Sequence, residues 1–156
     1  MKGRYDRYER ATERTLQAKG LSAIKAKKDR TTKDDLYEFW DKLAETEPSL
    51  RKHKLVVQWD YKYDKKTMWN SPVVLNLGNP LNLGGTHWVA IYKDKYFDSY
   101  GLSPPDIILE AGWKGEHNKR QIQGILNGNC GQYCVLWLSY VLRNKEKDFY
   151  DLFHIV

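Results

Sequence analysis

Two apolar periods alternate along this chain. In "TTKDDLYEFWDKL" the residues Leu36, Phe39, Trp40 and Leu43 recur at helical spacing. Thr32 can cap that helix, Asp34 and Asp35 suit its positive first turn, and Pro48 lies beyond its end. "KLVVQW" (54–59) and "VVLNL" (73–77) are short and rich in branched residues, as strands are. The polar "DYKYDKKTMWNSP" between them reads as a loop. "HWVAIY" (87–92) and "KYFD" (95–98) read as a hairpin about Lys93 and Asp94, and Pro104 and Pro105 precede a short helix in "DIILEAGW". "CVLWLSYVL" (134–142) is apolar nearly all round, which marks a buried helix. The pattern predicts an α+β fold: a central mixed β-sheet packed against a buried helix, with flanking helices.

The start of that helix carries the chemistry. Asn127, Gly128 and Asn129 form a turn in which Asn129 can cap, which puts Cys130 in the first helical turn. Unpaired backbone N–H groups and the positive end of the helix dipole there favour a thiolate, the nucleophilic form of cysteine. Gly131 removes a side chain that would crowd an incoming substrate. Cys134, one turn further into the apolar run, reads as a packing residue.

A thiolate nucleophile needs a base. His53, His117 and His154 read as surface or packing residues. His87 differs, because it opens a strand after Gly84 and Gly85 and precedes Trp88. If Lys93 and Asp94 make a two-residue turn, Asp98 faces Val89, on the face of His87 and displaced by two residues. That diagonal is about 7–8 Å between backbones, which a carboxylate and an imidazole can close. A register shifted by one sends Asp98 to the other face. The spacing therefore permits a His87–Asp98 pair in one register only.

Composition changes the picture at one end. Residues 1–30 hold ten Lys/Arg against four acids, which accounts for the whole formal charge of +6 on a chain of 156 residues. The chain divides into a basic N-terminal arm or helix (1–30) and a neutral body (31–156). The arm reads either as a solvated helix or as a patch for DNA or another polyanion, carried by Arg4, Arg7, Arg10, Arg14, Lys25, Lys27 and Lys28. No apolar run approaches a membrane span and no signal-peptide core is present, so a non-membrane, non-secreted protein is expected. Two cysteines make no disulfide framework. Cys130, Cys134 and His87 lack a fourth zinc ligand, so neither metal nor cofactor is expected.

"GGTHWVAIY", "YFDSYGLS" and "QGILNGNCGQYC" follow one another in that order. They resemble the adenovirus-type maturation cysteine proteases and their relatives, the ubiquitin-like (SUMO) proteases, over roughly residues 70–142. The resemblance implies a cysteine peptidase body over 31–156, with Cys130 as nucleophile and His87 as general base. Asp98 would orient His87, where the adenovirus enzyme has Glu. Gln123 would donate to the oxyanion beside the Cys130 backbone N–H, with Gln121 as the competing candidate. Gly85, Trp88 and Gly131 would line a narrow slot that prefers glycine just before the cut. The implied substrates are polypeptides, chiefly capsid or core precursors in a virion or infected cell, either in a cytoplasmic factory or in the nucleus, and the implied state is a monomer. The rival readings are a ubiquitin-like-modifier protease, an acetyltransferase on the same scaffold, and a non-catalytic nucleic-acid-binding virion protein.

Overall fold

The computed structural model describes residues 31–78, 87–122 and 130–153. The basic arm lies outside them. Helix α1 (Lys33–Thr46) starts where its sequence says it should. Thr32 Oγ1 accepts from the Asp35 N–H at 3.2 Å, and Asp35 Oδ2 accepts from the Thr32 N–H at 2.8 Å. This reciprocal cap satisfies two backbone donors that a helix start leaves without intrahelical partners. Leu36, Phe39, Trp40, Leu43 and Ala44 bury one stripe of α1, and a fully buried Leu or Phe contributes about 1.5–3 kcal/mol.

The sheet has five strands in the order β1 (Val56–Trp59), β2 (Val73–Leu77), β3 (His87–Tyr92), β4 (Lys95–Phe97) and β5 (Glu116–His117). β1 runs parallel to β2 and β5 to β4, while β2–β3 and β3–β4 are antiparallel, so the sheet is mixed. One face carries Val57, Val74, Trp88, Ala90 and Phe97 against α1 and the helix α4 (Cys130–Val141). The other carries Val73, Leu75, Val89, Ile91 and Tyr96 against Tyr63, Ile108 and Trp113. Burial on both faces is why β2 and β3 read as nearly continuous apolar runs. All twelve residues of α4 are buried. The fold is α+β, as the pattern predicts.

The differences in detail have physical reasons. Residues expected as a loop between β1 and β2 hold a 3-10 turn (Asp60–Lys62) and a short helix α2 (Lys65–Met68). Asp64 caps α2 by accepting from the Lys66 N–H, so a polar run becomes helical through local hydrogen bonds. The short helix expected after Pro105 is α3 (Asp106–Glu110). Helix α4 begins at Cys130, in the first turn where the sequence puts it, although its apolar run starts only at Cys134. β5 has two residues and α5 (Glu146–Asp151) has six, too few for a period to show. Phe149 of α5 is fully buried against Phe97, Tyr140 and Phe153, which is what holds so short a helix.

Candidate active site

The hairpin register decides the site. Tyr92 pairs with Lys95, Ile91 with Tyr96 and Ala90 with Phe97. This is the register of a two-residue turn at Lys93 and Asp94, with Lys93 in the left-handed region at φ 53°. Of the two possibilities open in the sequence, it is the one that brings Asp98 to His87. β4 ends at Phe97, and Asp98 begins the turn that follows. His87 Nε2 lies 2.7 Å from Asp98 Oδ1, with both side chains buried.

Asp98 is fixed by its own turn. Its Oδ1 also accepts from the Tyr100 N–H at 2.8 Å, and its carbonyl accepts from the Gly101 N–H at 2.8 Å. Gly101 adopts φ +76°, and a Cβ there would lie 3.0 Å from the Gln121 nitrogen and the Lys119 oxygen. Glycine is needed both for the left-handed bend and for the chain passing beside it. That passing segment braces the turn. Asn118 Oδ1 accepts from the Asp98 N–H at 2.8 Å, and Asn118 Nδ2 donates to the Asp98 carbonyl at 2.6 Å. Ile122 N–H donates to the Ser99 carbonyl at 2.9 Å.

Cys130 also reaches this pair. It is the first residue of α4, where backbone N–H groups have no intrahelical partner. Its Sγ accepts from the Trp88 N–H at 3.5 Å. His87 Nδ1 makes no regular hydrogen bond among the described residues. Cys130 is near enough to the His87 ring to raise its pKa. Burial pulls the His87 pKa down. The hydrogen bond to Asp98, the interaction with Cys130 and the charges of both outweigh it, and the pKa is pushed up to about 9. A thiol, an imidazole and a carboxylate in this order can hold a thiolate–imidazolium pair whose ring is fixed from behind. Burial, then the charges of Cys130 and Asp98, push the Cys134 thiol well up, so Cys134 stays protonated.

Trp88 packs in the helix-side core, donates its indole N–H to the Thr31 carbonyl at 3.2 Å, and lines a cavity of about 290 Å³ with Thr32, Val57, Trp59 and Asn76. Gly131 has a packing reason for being glycine. A Cβ there would lie 2.8 Å from Leu36 Cδ2, 3.1 Å from Thr31 Cγ2 and 3.4 Å from Trp88 Cδ1. The close approach of α1 to α4 takes the space that the sequence reading assigned to substrate. Gln121 is half-buried beside the Gly101 bend. Gln123, Gly85 and the basic residues Arg4, Arg7, Arg10, Arg14, Lys25, Lys27 and Lys28 lie outside the described residues. His53 and His117 sit elsewhere, the first ending a 3-10 turn and the second in β5.

Two neighbours of the site carry no sequence motif. Asn118, the residue after β5, clamps the Asp98 backbone beside the end of β4. Tyr100 stacks on His87, with ring centroids 4.2 Å apart and planes 5° from parallel. Its place two residues after Asp98 was the only hint, since an Asp side chain often accepts from the backbone two residues on. Among the described residues no group of three or more His, Cys, Asp or Glu could hold a metal ion, and no helix is long and apolar enough to cross a membrane. No protein-family model matches this chain, and neither does any curated protein or solved structure.

Proposed function

We propose that this protein is a cysteine endopeptidase of the adenovirus-type and SUMO-protease kind, using Cys130, His87 and Asp98. The observation that carries this reading is the 2.7 Å contact of His87 Nε2 with Asp98 Oδ1, with Cys130 near enough to the same ring to raise its pKa. In the proposed reaction the Cys130 thiolate attacks a peptide carbonyl carbon, forming a C–S bond and an oxyanion. The Cys130 backbone N–H and the Gln123 side chain donate to that oxyanion, and losing one such donor typically costs about 10²–10³ in rate. The Nδ1–H of His87 protonates the leaving nitrogen as the C–N bond breaks. Nδ1 then takes a proton from water, which attacks the thioester carbonyl, and the thiolate departs. Asp98 keeps Nε2 protonated and so leaves Nδ1 facing the sulfur.

The substrates we propose are polypeptides cut after small, Gly-Gly-like residues, chiefly capsid or core precursors in a virion or infected cell. Residues 1–30 would add affinity for DNA or another polyanion. The test is to incubate the full chain with precursor proteins and with SUMO or ubiquitin conjugates, and to map any cuts by mass spectrometry. Cleavage after small residues that vanishes in Cys130→Ala supports the reading. Transfer of acetyl from acetyl-CoA, or nucleic-acid binding with no cleavage of any polypeptide, contradicts it.

A further inference from the structure

Helix α1 buries one stripe in the core, and a neighbouring stripe walls a groove. The groove holds about 610 Å³ between α1 and the chain that leads into β1. Its floor is apolar: Trp40, Ala44 and Leu55 are buried and Tyr37 is half-buried. Trp40 Nε1 donates to the His53 carbonyl at 3.4 Å, which ties the two walls together. The α1 rim is acidic. Asp34, Glu38, Asp41 and Glu45 are all exposed, and their spacing puts them on one helical face. None of the four has an ion pair among the described residues. The opposite rim carries Arg51 and Lys54. The groove therefore fits a segment with an apolar face and cations along one edge.

The chain carries such a segment next to α1. Residues 1–30 hold ten Lys/Arg against four acids, while residues 31–156 balance to zero. They join the body at Thr31, one residue before the Thr32 cap of α1. That exit point is fixed, because the Thr31 carbonyl accepts from the Trp88 indole N–H at 3.2 Å. Within the arm Leu16, Leu21 and Ile24 stand among Lys19, Lys25, Lys27 and Lys28.

We propose that residues 16–28 dock in this groove of their own chain, with Leu16, Leu21 and Ile24 on its floor and the lysines along the acidic rim of α1. The reach fits. The 14 residues of α1 span about 21 Å, and a helical run over residues 16–28 spans about 20 Å. Residues 29–31 make a connection of the length that joins two antiparallel helices. So short a tether gives a local concentration that a second copy in solution does not match. Exposed ion pairs are individually weak and screened by salt, so the apolar contacts decide whether the arm stays docked. The groove and a free polyanion compete for the same lysines. Apparent affinity for the polyanion is then lowered by the fraction of arm that is docked. The inference concerns the arm and stands apart from the cysteine-peptidase reading.

The experiment uses the full chain and a carbodiimide, which joins a lysine amine to a carboxylate only where the two touch. Isotope-labelled and unlabelled chains are mixed equally, and the links are mapped by mass spectrometry. Links from Lys19, Lys25, Lys27 or Lys28 to Glu38, Asp41 or Glu45 within one chain are expected. Leu16→Ser, Leu21→Ser and Ile24→Ser together remove the apolar face without changing charge. In that triple variant the links should fall severalfold, and a DNA duplex should bind about three- to tenfold more tightly at the same salt. Absence of any link from the arm to α1 overturns the proposal. So do links found only between chains, which make the partner a second copy, and links undiminished in the triple variant. A DNA affinity that does not rise in the triple variant overturns it as well. None of these readouts depends on cleavage, so a failure of the peptidase reading leaves them unmoved.

Discussion

Asp98 meets one side of the His87 ring through a turn braced from three directions. Cys130, which also acts on His87, is held by a helix start and a long contact, the Trp88 N–H at 3.5 Å from Sγ. On the Asp98 side, Oδ1 takes two donors and the backbone is clamped at both its N–H and its carbonyl. His87 Nδ1, by contrast, has no regular hydrogen bond among the described residues. The difference suits the proposed chemistry. The Asp98 contact must not change during a turnover, whereas the sulfur must leave the imidazole, join a carbon and return. Rigidity is concentrated where no bond is made or broken.

The comparison can be broken most severely from the Cys130 side. Cys130→Ala should abolish peptide hydrolysis and leave the folded state intact by circular dichroism. A folded Cys130→Ala protein that still cleaves would remove the sulfur from the reaction. Asp98→Asn attacks the rigid side. The amide can present its NH2 to the ring and favour the wrong tautomer, so kcat should fall by up to about 10⁴-fold.

The same variant carries a pH signature. The folded pKa of His87 is about 9, above the ordinary value of 6.5. The pair therefore adds stability that is fully present below about pH 6.5 and lost as pH rises through about 9. Urea unfolding of the parent across that window should show the loss, and Asp98→Asn should show less of it. Equal pH slopes would mean that Asp98 does not hold the proton on His87.

Asn118→Ala tests the brace rather than the pair. Asp98 keeps its carboxylate but loses a clamp on its backbone, so kcat should drop about ten- to hundredfold through misplacement. Asn118→Asp can still accept from the Asp98 N–H but cannot donate to the Asp98 carbonyl, and it should fall between. A fully active Asn118→Ala protein would show the turn holding itself. The smallest effect is expected at Cys134→Ala. Its thiol is buried and protonated, so activity should remain within a few-fold while stability drops by about 1 kcal/mol for the small cavity. A folded but inactive Cys134→Ala protein would exchange the roles of the two cysteines.

The sequence made part of this legible, and the limit has a physical form. The α1 stripe and its Thr32 cap are local, set by residues three and four apart, and the structure has both. The His87–Asp98 contact could be argued because a two-residue turn links strand register to numbering. Asn118 follows β5, whose pairing with β4 brings it beside Asp98, and a two-residue strand shows no period, so it was missed. Tyr100 was missed because stacking leaves no spacing rule, only a geometry. Gly131 was assigned to substrate because a helix start with a small residue looks open. The packing of Leu36 and Thr31 against it is tertiary and invisible in a string.

The central claim is that His87 is held as an imidazolium between Asp98 and Cys130. The NMR titration of His87 in the full chain tests it most directly, with Cys130→Ala and Asp98→Asn run beside the parent. The parent should titrate near pH 9, and each variant should fall toward the ordinary imidazole value of about 6.5. A parent that titrates near 6.5, or one whose titration ignores both substitutions, would contradict the account.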